Sequence, residues 1–244
     1  MSDFRTYAII LAAGRGERMQ ADKNKMLMKI GDQSLLEICL DRFHRNESID
    51  HVVLVVPEDI PAKQMLEEQE LLKEKYPKLE ALLNGGKTRQ DSVYQGLQAV
   101  ENHAADHSGR KLVLIHDGAR SFVPSAVLER VVTALKSERV AVVAALAATD
   151  TIREIKDCVL TDLDVTRDKI FQMQTPQAAD LDILLHAFEL AQKEKFQATD
   201  DIALLLRIGY PVRVIAGDKR NFKLTTPEDF EMARLLFAAG YFAE

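Results

Sequence analysis

Apolar positions along the chain fall into two rhythms. Continuous apolar runs, of the kind that buries a strand on both faces, stand at residues 7–13 (YAIILAA), 51–56 (HVVLVV), 79–84 (LEALLN), 111–117 (KLVLIHD) and 139–146 (RVAVVAAL). Between them lie stretches of helical period. SLLEICLDRFHR opens on a capping box from Ser34 to Glu37, IPAKQMLEEQELLKEKY is amphipathic, RQDSVYQGLQAVENH follows Gly85-Gly86, and PSAVLERVVTALKS carries Pro124 in its first turn. This β-α-β alternation predicts an α/β fold with a mostly parallel sheet and helices on both faces. After residue 150 the rhythm changes: TIREIKDCVLTDLDV is a pair of short strand-like pieces around a polar turn, so residues 150 to about 172 are predicted to project as a hairpin arm. DLDILLHAFELAQKE, TDDIALLLRIG, PVRVIAG, FKLTT and a last helix from Pro227 complete the chain.

Composition narrows the classes. With 244 residues, 47% of them hydrophobic, the chain can bury one sizeable core, and no linker, repeat or low-complexity run divides it, so residues 1–244 are expected to form one domain. Lys and Arg number 32 against 38 Asp and Glu, and the net charge of −6 argues against nucleic acid and anionic membranes as partners. Cys39 and Cys158 are too few for a disulfide framework or a zinc site, which suits a reducing compartment, and Cys39 falls on an apolar helix face. The apolar run at residues 7–13 is too short to span a bilayer and lacks a basic flank, so a cytoplasmic location is expected.

Against that acidic background, Arg15, Arg18, Lys23, Lys25 and Lys29 crowd one segment behind the first strand. In open α/β sheets ligands sit beyond the carboxyl ends of the strands, where this chain carries AAGRGERM, NGGKTRQDS and HDGARSF. Gly14 and Gly16 allow backbone N–H groups to turn toward a phosphate, with Arg18 and Lys25 able to fold back over it; a solvated, charged surface loop is the competing reading. A dinucleotide fingerprint is disfavoured, because Met19 stands where a small residue is needed and the second strand ends only at Val56, and a P-loop sequence is absent. Asp117, at a strand end before Gly118, is placed to hold Mg²⁺ beside phosphates. Gly85, Gly86 and Ser92 suit either the edge of a nucleobase or a tight turn and helix cap. His116 reads as hydrogen-bonded scaffolding, and Arg120 as an anchor of its loop.

AAGRGERM with Lys25, GGKTRQDSV, VLIHDGAR, DTI, TRDKIFQMQTPQ, TDD and NFKLTTPEDF, in this order and spacing from about residue 7 to 236, resemble the 2-C-methyl-D-erythritol 4-phosphate cytidylyltransferase family of non-mevalonate isoprenoid biosynthesis. The resemblance implies a Rossmann-like nucleotidyltransferase fold with a β-hairpin dimerisation arm, CTP and a polyol phosphate as substrates, Mg²⁺ as cofactor, and a homodimer. It makes Arg18 and Lys25 the pair at the α-phosphate and Asp117 the metal carboxylate. It assigns Ala12, Ala13, Gly86 and Ser92 to the cytidine pocket, with Gly14, Gly16 and Gly85 in the nucleotide loops. Thr151 and Arg167, on the arm, would reach the polyol phosphate in the partner subunit, and Thr175 and Lys223 would contact it too. Ser121, Lys87, Ala147 and Ala179 depart from the family's usual residues, and the changes near Thr149 and Ala179 bear on acceptor choice. The similar ribitol-5-phosphate cytidylyltransferases share QTPQ and the glycine loop and are the alternative; a nucleotide-binding regulator without turnover is the reading from another class.

Overall fold

The computed structural model describes residues 3–14, 25–57, 70–164 and 166–243. A seven-stranded sheet runs β11-β7-β10-β6-β1-β4-β5, built from β1 (Phe4–Leu11), β4 (His51–Val56), β5 (Leu79–Asn84), β6 (Arg110–Asp117), β7 (Ala141–Ala147), β10 (Phe171–Asp180) and β11 (Val212–Ala216). All neighbours are parallel except β10, which is antiparallel to both β6 and β7. Two short hairpins stand apart from the sheet: β2 (Lys29–Ile30) with β3 (Gln33–Ser34), and β8 (Arg153–Lys156) with β9 (Val159–Asp164). The helices are α1 (Leu35–Arg45), α2 (Arg89–His103), α3 (Ser125–Ser137), α4 (Leu181–Lys193), α5 (Asp201–Arg207) and α6 (Pro227–Ala238), with residues 70–75 also helical.

The unbroken apolar runs have the predicted cause. Successive strand residues face opposite sides, so Ile10, Leu54 and Leu114 pack under α1 and α3, while Ile9, Val53 and Val113 pack under α2 and α4. The capping box forms as expected: Ser34 Oγ accepts the Glu37 N–H at 3.2 Å, and Glu37 accepts the Ser34 N–H at 2.9 Å. Pro124 proves to be the residue before α3, its extended ψ of 143° leaving Ser125 to open the helix. The N-terminal part of the predicted amphipathic helix at 60–76 lies outside the described residues.

Strand β10 has no apolar signature. Gln174, Thr175 and Gln177 are each under 5% exposed, and the register with β7 shifts between Met173 and Gln177, around Pro176. Buried polar side chains survive there because each is hydrogen-bonded, Gln177 for instance accepting the N–H groups of Asp201 and Ile202. Within the segment predicted as an arm, β8 and β9 form a hairpin that turns through Asp157 and Cys158, whose φ values of 50° and 62° are those of a two-residue turn matched to strand twist. Ile155, Val159 and Leu160 on it are all more than 60% exposed.

Candidate active site

Three loops at the carboxyl edge are knit through the backbone: Ala12 N–H donates to Val55 O at 2.7 Å, Gly85 N–H to Val56 O at 2.6 Å and Gly118 N–H to Leu11 O at 2.9 Å. Close approach explains the glycine at 85. A Cβ there would stand 2.7 Å from Ala13 Cβ and 2.9 Å from Ser92 Oγ, so Ala13, Gly85 and Ser92 form one wall. Ser92 is buried, and its hydroxyl accepts the Gly86 N–H at 3.1 Å while donating to Thr88 O at 2.9 Å. Thr88 and Asp91 then cap α2 reciprocally. Gly14 is exposed; Gly16 and Arg18, like Arg15 and Lys23, lie outside the described residues.

Asp117, the last residue of β6, is the hub. Its Oδ2 accepts from Lys223 Nζ at 2.7 Å, its Oδ1 from Arg89 Nε at 3.2 Å, and its N–H donates to Thr175 Oγ1 at 3.1 Å. Burial alone would raise this carboxyl, but the charges of Arg89 and Lys223 outweigh it and hold the group well below the usual carboxylate range. Arg89 also forks onto Asp201, with Nη1–Oδ1 and Nη2–Oδ2 both 2.8 Å. Neither residue was singled out in the sequence. Both sit inside quoted motifs, GGKTRQDS and TDD, but their pairing spans 112 positions and leaves no local signal.

Lys25 donates to Leu224 O at 3.2 Å, and Leu224 N–H in turn donates to Ala119 O at 2.9 Å. Lys25, Asp117 and Lys223 are thereby gathered at one edge. Beneath them His116 is fully buried, with Nε2 3.2 Å from Arg120 O and Nδ1 3.0 Å from Thr175 Oγ1. A carbonyl can only accept, so the proton sits on Nε2 and Thr175 donates to Nδ1. Burial pushes the His116 pKa down to about 4. It is scaffolding, as read from the sequence. Arg120 anchors as expected, donating to Asn221 O at 2.8 Å and Met173 O at 3.3 Å.

Beside the hub opens a cleft of about 540 Å³ whose lining includes Arg120, Thr149, Gln172, Gln174, Lys219 and Lys223. Its charged lining residues are all cationic, which suits an anion. Arg167 Nη1 donates to the backbone oxygen of Thr149 at 3.4 Å, while Thr151 is exposed at the root of the arm and Thr175 is buried against His116. The departures at 121 and 179 now have a physical reading. Ser121 satisfies its buried hydroxyl on Gly118 O at 2.8 Å. Ala179 is fully buried in the core on the α2 and α4 face and does not line the cleft.

Residues 6–238 match the family described as 2-C-methyl-D-erythritol 4-phosphate cytidylyltransferase. The protein of that name from Geobacillus kaustophilus is 40% identical over 232 residues, covering 95% of this chain and 96% of its own. Its namesake from Geobacter metallireducens is 37% identical over 228 residues, with 93% and 95% covered. The crystal structure of 4-diphosphocytidyl-2C-methyl-D-erythritol synthase from Anaerococcus prevotii superposes with a TM-score of 0.80 at 31% identity, 97% of each chain covered. With that match along nearly its whole length, the chain belongs to the 2-C-methyl-D-erythritol 4-phosphate cytidylyltransferase family.

Proposed function

We propose that this chain transfers a cytidylyl group from CTP to 2-C-methyl-D-erythritol 4-phosphate. A phosphate oxygen of the acceptor attacks the α-phosphorus of CTP, the bond to the β-phosphate oxygen breaks, and pyrophosphate leaves with 4-diphosphocytidyl-2-C-methyl-D-erythritol as product. The carrying observation is the gathering of Lys25, Asp117 and Lys223 at the edge of a cationic cleft, in a chain of this family. The attacking oxygen is already an anion, so no protein nucleophile is required; positioning and charge neutralisation suffice.

In this reading Ala12, Ala13, Gly14, Gly85, Gly86 and Ser92 shape the nucleotide side, with Gly16. Lys25 and Arg18 neutralise the α-phosphate. Lys223, Thr151 and Arg167 meet the acceptor phosphate, and Thr175 serves that side while fixing the Asp117 backbone. Mg²⁺ is commonly held by one or two carboxylates together with substrate phosphates. Asp117 fits: it is ionised, its side chain is 13% exposed, and each oxygen keeps a lone pair beyond the hydrogen bond it accepts. When bound there, Mg²⁺ would supply positive charge to the phosphates.

The chain acts as one nucleotidyltransferase unit in a cytoplasmic homodimer. The exposed Ile155, Val159 and Leu160 of an arm too thin to be stable alone support the dimer. Two unpaired cysteines suit a reducing compartment. Among the described residues no helix is long and apolar enough to cross a membrane. Pyrophosphate release with CTP and either 2-C-methyl-D-erythritol 4-phosphate or ribitol 5-phosphate tests the assignment. A higher kcat/KM with the former is expected; the reverse order overturns the acceptor, and no release with either overturns the transfer.

A further inference from the structure

At the amino edge of the sheet, away from the cleft, His51, Glu80 and His103 converge. His51 opens β4, Glu80 is the second residue of β5, and His103 is the last of α2. Glu80 Oε1 lies 2.7 Å from His51 Nδ1 and Oε2 lies 3.1 Å from His103 Nε2. We propose that His51, Glu80 and His103 form a binding site for a divalent transition-metal ion of the zinc type, distinct from the catalytic cleft. Imidazole nitrogens with a carboxylate favour zinc over magnesium or calcium, and three protein ligands leave a fourth, tetrahedral position for water.

The geometry is close to what such an ion needs. With bonds of about 2.0–2.1 Å, tetrahedral ligand atoms stand about 3.3 Å apart; the donor atoms here all lie within 4.8 Å of one another. Replacing the bridging protons by a metal therefore opens the two close contacts, 2.7 and 3.1 Å, by about 0.6 and 0.2 Å, and draws the widest donor pair in by up to about 1.5 Å. Side-chain exposures of 22%, 23% and 34% leave an entry path and room for the water.

Rigid elements supply all three ligands. Val52 pairs with Leu79 and Val53 with Ala81, so Glu80 is the extra residue of a bulge, a device that re-aims a side chain. Tyr7 pairs with His51 across β1 and β4, and their rings stack with centroids 4.8 Å apart. The Tyr7 side chain is fully buried, and its hydroxyl stands 3.2 Å from His103 Nδ1. With the metal on Nε2, the Nδ1–H would donate to that oxygen, the outer partner that fixes tautomer and ring orientation at histidine–metal sites. The ion would tie the last turn of α2 to β4 and β5.

Zinc alone, titrated calorimetrically into chelator-stripped full-length protein, tests the site. One equivalent is expected to bind, His103→Gln and Glu80→Gln to lose it, and Tyr7→Phe, which keeps the stacked ring, to weaken it about 10-fold. Circular dichroism checks that each variant folds. A measurement on the unaltered protein stands beside these: zinc should protect His51 and His103, but not the exposed His186, from imidazole-acylating reagent in peptide mass mapping. Absence of zinc binding, binding retained by the folded variants, or equal acylation with and without zinc would each overturn the site and leave Glu80 as a hydrogen-bonded bridge between two imidazoles.

Discussion

The Lys223 ammonium lies 2.7 Å from the Asp117 carboxylate, joining residues 106 positions apart. Two groups assigned to separate tasks, the acceptor phosphate and the metal, therefore share one contact. Asp117→Asn keeps the shape but removes the charge that holds both. The Mg²⁺ concentration for half-maximal rate should rise, and KM for the polyol phosphate should rise with it. A Mg²⁺ titration at several acceptor concentrations checks this; an unchanged metal dependence would reduce Asp117 to a positioner of Lys223.

Arg89 is the only cation whose hydrogen bonds reach both Asp117 and Asp201 among the described residues. Removing it strands Asp201, whose side chain is 2% exposed. Breaking one partner of such a buried pair costs about 3–5 kcal/mol, so Arg89→Ala should lower the urea midpoint sharply. Arg89→Ala combined with Asp201→Ala should be less destabilised than the sum of the two single variants. Strict additivity in that cycle would sink the pairing as a stabilising unit.

His116 sets a pH window. Its folded pKa of about 4 lies below the ordinary histidine value, so between the two the unfolded chain binds the extra proton and stability falls as pH falls. The contribution is full above about pH 6.5 and is about 2 kcal/mol smaller by pH 5. Urea midpoints measured from pH 8 to pH 5 should show this slope, and His116→Asn should flatten it. Asp117 acts lower: its ionised form stabilises at neutral pH, and that term is lost as pH falls through and below the ordinary carboxylate range.

If two arms exchange, Arg167 of one chain completes the acceptor site of the other. Lys25→Ala should cost roughly 10²-fold in turnover, as loss of a preorganised cation does, and Arg167→Ala should cripple acceptor use. Mixed and allowed to exchange subunits, the two variants should regain activity, because a heterodimer has one site with both residues intact. Verified heterodimers as inactive as their parents would place the site within one chain.

Most of the sheet was readable because burial on both faces writes itself as uninterrupted apolar runs; 51–56 and 79–84 match β4 and β5 residue for residue. β10 was not, since its buried Gln174, Thr175 and Gln177 look like loop residues until their partners at 116, 117, 201, 202 and 218 are in place. The candidate site divides the same way. Lys25, Asp117 and Lys223 stand out beside strand ends and motifs, whereas Arg89, Asp201 and Lys219 acquire meaning only through contacts or a cleft made by distant segments.

The reversed direction of β10 settles where the arm can grow. The chain leaves the sheet at Ala147 and re-enters at Phe171, and these two residues are paired neighbours. Everything between them is a parenthesis in the topology, opened and closed on the same side. Residues 148–170 can lengthen, shorten or change character without altering any strand register, whereas Ala12, Gly85 and Gly118, just past β1, β5 and β6, are tied by backbone hydrogen bonds to neighbouring strands. On the proposed reading, in which Thr151 and Arg167 meet the acceptor phosphate, such a layout lets the choice of acceptor drift while the nucleotide side stays as it is.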